Sequence, residues 1–570
     1  MNTLVNMNWN PFLKFRLFFI GSLCLLGTTS TSWAQQDTVK YWIQFTDKNN
    51  STYSVQDPQY FLSDKAIARR TKFNIPITEQ DIPVNEAYIQ QVLSYPSVRL
   101  LNPSKWFNAI TISCYDTNEL LQIQQLACVK NIETVQKLKR KSEIEWKGWT
   151  IEESEKSGFS MSNTPHYPYG FSFNQLHLHH VDFLHQLGFQ GKGMTIAVID
   201  AGFENATNMA CFEHLFAENK VLSTKDFVAH DGNVYNDHYH GAAVLSVMAG
   251  KIDGEYLGAA TEASFHLLRS EDADSEFLVE EDNWVSAAEY ADSAGADIIN
   301  SSLGYTTFDD STQNHTYADL DGNTTRVAKA ADIAASKGIL VVCSAGNSGN
   351  DSWKYISTPA DADSILTVGA VDSLGNYASF SSVGPSSDGE VKPTVASVGK
   401  QTYLYIPSAA NVVQGNGTSF SSPMMAGMVA CFWQAFPSLK NGEIIELMKQ
   451  SANQFSSPDS LLGYGIPDFR KAYHIANGFL PKTIEFELMD LFPNPLSEEN
   501  LTALLFSSQA QTIHVQISNT LGQEMYNENI SVDFGQNKLT LTHSLLPKGI
   551  YAFQVTPSFG ERVCRLLVVW

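Results

Sequence analysis

The sequence predicts an α/β protein whose largest part is a mostly parallel sheet flanked by helices on both faces. Apolar strand-like runs recur between residues 195 and 370 and alternate with segments of helical periodicity. A short α+β pattern precedes this part, and short alternating strands follow it. At 570 residues the chain has room for about four units, which suits a precursor with removable parts.

Composition excludes some partners. Asp and Glu number 60 against 37 Lys and Arg, so the formal net charge is -23, which disfavours binding to nucleic acid or to an anionic membrane. Seven cysteines are too few for a disulfide framework in a chain of this length.

Residues 1–34 have the pattern of a secretory signal peptide. Lys14 and Arg16 precede the apolar run Leu17–Leu26, and Ser32-Trp33-Ala34 offers a small-x-small cleavage site. The run is shorter than the roughly 20 residues that a membrane-spanning helix needs. The sequence therefore predicts export with removal of this segment.

Residues 35–136 are predicted to form a small α+β module with the order β-α-β-β-α-β, the ferredoxin-like plan. The strands are predicted at Val39–Phe45, Val98–Leu101, Asn108–Cys114 and Val129–Val135, and the helices at Glu86–Leu93 and Glu119–Leu126. The stretch Phe61–Phe73, with Arg69 and Arg70, receives no assignment. Residues 137–168 lack apolar periodicity and are rich in Lys, Gly, Ser, Glu and Pro, which predicts an exposed linker suited to proteolytic maturation.

Residues 169–480 contain the alternating strands and helices. Strands are predicted at Thr195–Asp200, Ser264–Arg269, Ile298–Leu303, Ile339–Ser344 and Leu366–Ala370, and helices at Trp284–Ser293 and Thr325–Ser336. In such sheets ligands bind beyond the carboxyl ends of the strands. Asp200, Ser302-Leu303-Gly304 and Asn347 all fall there, so this edge is the predicted site.

A serine stands at the start of a buried helix in the stretch Asn416–Pro423. Met424–Phe432 is almost wholly apolar or small, so the helix that follows has no predicted solvent face. The first turn of a helix has free N–H groups and the positive end of the dipole, which stabilise negative charge near Ser419. The alternative is that Ser419 only caps the helix.

This stretch resembles the catalytic serine motif of the subtilisin-like (subtilase) serine proteases, Gly-Thr-Ser-Met-Ala-x-Pro, with Phe420 and Ser421 in place of Met and Ala. Thr195–Gly202 resembles the aspartate strand of that family, and Asp237–Gly241 resembles the start of its histidine helix. The resemblance covers most of residues 175 to 475. One departure is His240-Gly241-Ala242-Ala243 where the family has His-Gly-Thr-His, which removes a hydroxyl and an imidazole from the histidine helix.

The resemblance implies a catalytic role for each of four residues. Ser419 would be the nucleophile, His240 its base, and Asp200 the group that orients His240. Asn347 would donate its side-chain N–H to the tetrahedral oxyanion, together with the backbone N–H of Ser419. In the family two segments wall the pocket for the residue before the scissile bond, so the implied substrate-binding residues are Ser302, Leu303, Gly304, Ser344, Ala345 and Gly346.

No catalytic cofactor is expected, and metal-like clusters have plainer explanations. His177, His179, His180 and His185 are predicted to be surface and packing residues rather than ligands. Asp309-Asp310 and Asp319–Asn323 could bind structural calcium, but an acidic, turn-rich insertion explains them equally well.

Residues 485–570 are predicted to form a small β-sandwich. Strands are predicted at Leu501–Phe506, Thr512–Ile517, Lys538–Leu541, Ile550–Val555 and Arg562–Trp570. Leu491–Pro495, Asn519–Glu524 and Lys548–Tyr551 resemble the C-terminal sorting domain of type IX secretion cargo, which implies export across a Gram-negative outer membrane. A carbohydrate- or partner-binding sandwich is the alternative.

Together these features indicate a secreted serine endopeptidase precursor that hydrolyses peptide bonds through an acyl-enzyme. Its position before a protease makes the α+β module resemble the subtilase propeptide, a folding template and inhibitor, although a permanent binding domain is the alternative. The expected partners are peptide substrates, its own propeptide and the type IX machinery, and the expected location is the medium or the outer surface, reached through the periplasm. A catalytically silent subtilase used as an adhesin or scaffold is the competing function, and an esterase or amidase on the same residues is a third.

Overall fold

A computed structural model describes residues 38–137, 150–152, 169–409, 412–478, 486–496, 500–507, 509–533, 535–542, 546–560 and 562–569. The predicted signal peptide and most of the predicted linker lie outside these residues. Within them, no helix combines the length and the apolar character needed to cross a bilayer.

The N-terminal module has the predicted ferredoxin-like topology. Its elements are β1 (Val39–Phe45), α1 (Asp64–Phe73), α2 (Glu86–Leu93), β2 (Val98–Ser104), β3 (Ala109–Cys114), α3 (Thr117–Ile123) and β4 (Val129–Gln136). The strands form an antiparallel sheet in the order β2-β3-β1-β4. Tyr41, Ile43 and Phe45 alternate toward the module's own core, while Trp42 faces the other way and packs with Phe277 of the following domain. Helix α1 is the element that the sequence left unassigned.

The central domain is built on a seven-stranded parallel sheet in the order β14-β13-β12-β11-β6-β10-β7. Its strands are β6 (Thr195–Asp200), β7 (Val221–Asp226), β10 (Ser264–Arg269), β11 (Ile298–Ser301), β12 (Leu340–Ser344), β13 (Leu366–Val371) and β14 (Val395–Val398). The predictions for β6 and β10 are confirmed to the residue. Shorter strands are β5 (Thr150–Glu152), β8 (Lys251–Ile252), β9 (Tyr256–Leu257), β15 (Thr402–Leu404) and β16 (Val413–Asn416).

Helices cover both faces of this sheet, as predicted. They are α4 (Phe173–His177), α5 (Val181–Gln186), α6 (Glu213–Ala217), α7 (His240–Ala249), α8 (Val279–Ala294), α9 (Arg326–Ser336), α10 (Thr418–Ala435), α11 (Asn441–Ser451) and α12 (Phe469–Ala476). Along β6, Ile196 and Val198 pack in the core with α7 and α10, whereas Ala197 and Ile199 pack in the core with α8 and α9. Helix α10 is buried from Thr418 to Trp433, which confirms that it has no solvent face there.

The predicted linker contributes one strand that the sequence did not reveal. Strand β5 pairs antiparallel with β16, so that Thr150 lies opposite Asn416. Strand β16 leads directly into the serine helix, and it is the middle strand of this small sheet, paired with β15 on one edge and with β5 on the other. Three residues are too few to show periodicity, which is why the sequence pattern gave no sign of this strand.

The C-terminal part is a β-sandwich, as predicted. Its strands are β17 (Phe486–Phe492), β18 (Leu501–Ser507), β19 (Gln511–Asn519), β20 (Glu524–Val532), β21 (Gly535–Leu541), β22 (Gly549–Pro557) and β23 (Val563–Val569). The orders β17-β18-β21 and β20-β19-β22-β23 give two sheets that share one apolar core. Strands β17 and β20 were not predicted.

Candidate active site

The predicted polar residues meet at the carboxyl edge of the parallel sheet. Asp200 is the last residue of β6, Ser302 follows β11 directly, and Asn347 lies three residues after the end of β12. His240 begins α7, and Ser419 lies in the first turn of α10.

Asp200 and His240 form a buried pair. His240 Nδ1 donates to Asp200 Oδ1 at 2.7 Å, and neither side chain is more than 1% exposed. The backbone N–H of Ala201 also donates to Asp200 Oδ1, at 2.8 Å. The approach of α7 depends on Gly241, because a Cβ there would lie 2.4 Å from the carbonyl oxygen of Gly202. The pair fixes the imidazole tautomer and stabilises a positive charge on the ring.

His238 supports the start of the histidine helix. Its Nδ1 accepts a hydrogen bond from the backbone N–H of His240 at 3.2 Å, and burial and the neighbouring His240 lower its pKa to about 4, so the ring is neutral. Ala242 and Ala243, which replace the polar pair of the family motif, are fully buried in the apolar core. The departure therefore exchanges two polar groups for two packed methyl groups.

Hydrogen bonds tie the first turn of α10 to the end of β11. Ser302 Oγ donates to the carbonyl oxygen of Ser419 at 2.9 Å, and Ser419 Oγ lies 3.5 Å from the carbonyl oxygen of Ser302. Ser422 Oγ donates to Asn300 Oδ1 at 2.9 Å. The ring of Phe420 lies 6.3 Å from that of His240, measured between ring centres, so the serine and histidine helices begin side by side.

The side-chain amide of Asn347 is held in one orientation. Its Oδ1 accepts from the backbone N–H of Thr418 at 2.7 Å and from Thr418 Oγ1 at 2.9 Å. Thr418 Oγ1 also accepts from the backbone N–H of Gly346 at 3.2 Å. Because Oδ1 faces Thr418, the donor Nδ2 points away from it. Thr418 was not among the predicted site residues, and the Gly-Thr-Ser motif was the signal that contained it.

Comparison with known proteins identifies the family. The pattern of the Subtilase family matches residues 191–465. The chain is 30% identical to Subtilisin DY of Bacillus licheniformis over 271 residues, covering 46% of this chain and 85% of that protein. The chain belongs to the subtilase family. This part of it is a serine endopeptidase domain.

The flanking domains also match known families. Residues 40–147 match the Bacteroidota propeptide domain of peptidase family S8, and residues 490–569 match the secretion system C-terminal sorting domain, of the type IX kind. Serine protease AprX of Bacillus subtilis is 28% identical over 297 residues, and the match covers 47% of this chain and 63% of AprX, less than two thirds of it. A solved structure of MycP1 from the ESX-1 type VII secretion system aligns with 55% of this chain and 87% of its own at 22% identity and a TM-score of 0.41.

The predicted substrate pocket of this subtilase presents backbone more than side chains. Leu303 and Ala345 pack in the apolar core beneath the cleft, and Ser344 is only 3% exposed. Gly304 is exposed and Gly346 is partly exposed. A substrate side chain at these positions would therefore contact main-chain atoms and any side chain that lies between Gly304 and Gly346.

The four clustered histidines are packing residues, and each has its own partner. His179 donates through Nδ1 to the carbonyl of Pro467 at 3.0 Å, and Tyr169 OH donates to His185 Nδ1 at 2.9 Å. Burial lowers the pKa of both histidines to about 4. His180 pairs with Asp468, and His177 lies between Asp182 and Asp490.

The predicted calcium segments use their carboxylates for other contacts. Asp310 pairs with Lys137 at 2.7 Å, and Asp319 and Asp321 accept hydrogen bonds from residues of their own turns. Among the described residues, the one group of three carboxylates close enough to share a cation lies elsewhere, at Glu271, Glu276 and Glu280. Burial raises the pKa of all three, and that of Glu271 reaches about 7. Glu271 also accepts a hydrogen bond from Tyr305 OH at 2.7 Å.

Proposed function

We propose that the chain is the precursor of a secreted endopeptidase that cleaves peptide bonds through an acyl-enzyme on Asp200, His240 and Ser419. The observation that carries this proposal is the buried Asp200–His240 pair, 2.7 Å between Oδ1 and Nδ1, beside the first turn of the serine helix. A silent subtilase has no need to retain that pair, because burying charged groups costs free energy unless they are used or well compensated.

Four residues divide the steps of the proposed reaction among them. Ser419 Oγ attacks the carbonyl carbon of the scissile bond while His240 Nε2 takes its proton. Asp200 stabilises the resulting imidazolium. Nδ2 of Asn347 and the backbone N–H of Ser419 donate to the oxyanion. His240 then protonates the departing amine, and a water molecule activated by the same ring hydrolyses the ester.

The N-terminal module is proposed to inhibit the enzyme until it is removed by cleavage within residues 137–168. Its contacts with the protease domain are extensive and charged. Arg69 Nη2 donates to Asp292 Oδ1 at 2.7 Å, and Glu289 accepts from the backbone N–H groups of Lys105 and Trp106 at 2.7 and 3.0 Å. All five of these residues have less than 9% of their surface exposed, so the two parts share a continuous buried interface.

The C-terminal sandwich is proposed to direct the enzyme through the type IX machinery to the medium or the outer surface. It has an apolar core of its own, built from both of its sheets. None of the predicted site residues lies within it. Its task is therefore transport rather than chemistry.

Fluorophosphonate labelling of the matured enzyme tests the proposal, because the reagent traps only an activated serine. We expect labelling and peptide hydrolysis by the wild type and neither by Ser419→Ala. Ser421→Ala is the matched control: it lies on the same helix, is also buried, and donates only to the carbonyl of Thr418. It should keep both activities. A matured wild-type protein that is neither labelled nor active would favour the adhesin or scaffold instead.

A further inference from the structure

Ser357 occupies the space between the two glycines of the substrate pocket. A Cβ added at Gly304 would lie 2.0 Å from Ser357 Oγ, and a Cβ added at Gly346 would lie 3.1 Å from the same oxygen. Gly304 and Gly346 belong to the two segments that are predicted to wall the pocket for the residue before the scissile bond. One hydroxyl group therefore lies against both walls.

Backbone hydrogen bonds hold Ser357 in this position. Its N–H donates to the carbonyl of Ala345 at 3.2 Å, which ties it to one wall. The next residue, Thr358, exchanges two hydrogen bonds with Tyr305, at 2.8 and 3.3 Å, which ties it to the other wall. Ser357 is only 8% exposed. The main chain at Ser357 cannot move aside for a substrate without breaking these bonds.

We propose that Ser357 forms the floor of the pocket and restricts it to small, uncharged side chains, so that the enzyme cleaves after Gly, Ala or Ser. This inference rests on the proposed function, because it names the substrate class of the same site. At the depth of Ser357 the hydroxyl group already occupies the gap between the two walls, so a side chain that enters the pocket must end above it. A short side chain fits above this floor, whereas an aromatic ring extends further and would approach the oxygen more closely than the contact distance of about 3.5 Å.

The size of the effect follows from how pockets discriminate. One methylene group too many in a tight pocket costs about 10- to 200-fold in kcat/KM. We therefore expect the wild type to cleave after Ala at least about 100-fold more efficiently than after Phe. Removing the Ser357 side chain should reduce this ratio to about tenfold or less, mainly by raising kcat/KM for the Phe substrate.

The test is a set of peptides that differ only in the residue before the scissile bond, Ala, Leu or Phe. Each is assayed with the matured wild type and with Ser357→Gly, Ser357→Ala and Ser357→Thr. The cleavage position is confirmed by mass spectrometry. The Phe substrate should improve in the order Thr, Ser, Ala, Gly at this position, because the volume at the floor falls in that order. Ser364→Gly, at an exposed serine of the same loop region, is the matched control and should leave the ratio unchanged.

The outcomes separate this inference from the function on which it rests. If the matured wild type is not labelled by fluorophosphonate and hydrolyses none of the peptides, the proposed function is wrong, and this inference is wrong with it. Efficient cleavage after Phe by the wild type would overturn only the assignment of Ser357. So would an Ala-to-Phe ratio that is the same in all four enzymes. Circular dichroism and labelling of each variant exclude misfolding as the cause of a changed ratio.

Discussion

Replacing Arg69 by Met tests whether buried charge holds the propeptide on the protease domain. Arg69 lies on α1, its side chain is 4% exposed, and it pairs with the wholly buried Asp292 at 2.7 Å. It also donates to the main-chain carbonyls of Lys337 and Ala296. Asp292 would keep Arg70 at 2.8 Å and Lys105 at 3.2 Å, so its charge stays compensated and the loss is that of hydrogen bonds to a charged group, about 1.5–3 kcal/mol. At 1.36 kcal/mol per factor of ten, the inhibition constant of the propeptide should rise about 10- to 150-fold.

Lys65 provides the matched control on the same helix. It also pairs across the interface, with Asp297 at 2.6 Å, but its side chain is 40% exposed. Solvent screening limits such a pair to at most about 1 kcal/mol, so Lys65→Met should weaken inhibition no more than about fivefold. Both variants are confined to the propeptide, so the mature enzyme is the same in every assay. The inhibition constant is measured by adding each separately expressed module, checked for folding by circular dichroism, to matured enzyme. Equal effects of the two substitutions would refute the reasoning from burial.

The remaining predictions concern the site and the C-terminal domain. Ser419→Ala should abolish peptidase activity yet leave the melting temperature within a few degrees of the wild type, because only one small hydroxyl is lost. Asn347→Ala should lower kcat by about 100- to 1,000-fold with little change in KM, the usual effect of losing an oxyanion donor; an unchanged kcat would remove Asn347 from this role. Burial opposes protonation of His177, but its hydrogen bonds to two aspartates raise its pKa to about 9. While Asp490 is ionised, its pair with His177 should stabilise the fold fully below about pH 6.5, as part of the roughly 3 kcal/mol that the two aspartates supply together, and lose this contribution as the pH rises through about 9. The unfolding free energies of wild type and Asp490→Asn should therefore differ more at pH 6 than at pH 10, and an equal difference at both would contradict this. Deleting residues 485–570 should leave hydrolysis per mole intact but retain the enzyme in the periplasm of a type IX secreting host; equal amounts outside the cell would rule out the sorting role.

The most accurate predictions are for strands whose position and ends are determined by their own residues. Strands β6 and β10 are nearly wholly buried in a parallel sheet, so each is a mostly apolar run with polar ends, which in β10 is interrupted by His266. Strand β20 was missed because most of its residues are polar and only one of them, Val532, is buried. Its place in the sheet depends on pairing with β19, and the composition of one strand alone does not indicate such pairing.

Only those site residues that lie within a recognisable sequence motif could be predicted. Asp200, His240 and Ser419 stand at strand and helix ends that the sequence marks clearly. Thr418 and Ser357 were not among the predicted site residues, because their contacts join segments that approach one another only in the folded domain. A serine in a loop has many ordinary explanations, and only its contact with two distant glycines distinguishes Ser357.

The charged start of helix α8, near the interface with the propeptide, was not predicted, and the reason is physical. Helix α8 was predicted from Trp284, but it begins five residues earlier, and its first turn contains Glu280, Glu281 and Asp282. Such a turn is typical of an exposed helix start, yet all three residues are at most 2% exposed. Asp282 pairs with Arg326, which also reaches Glu133 of the propeptide and lies over the ring of Trp42. When the sequence of each domain is interpreted alone, these charged side chains are predicted to be exposed to solvent. Glu280 and Glu281 have their partners within the protease domain, whereas Asp282 is linked through Arg326 to the propeptide, so its burial is interpretable only when both domains are considered together.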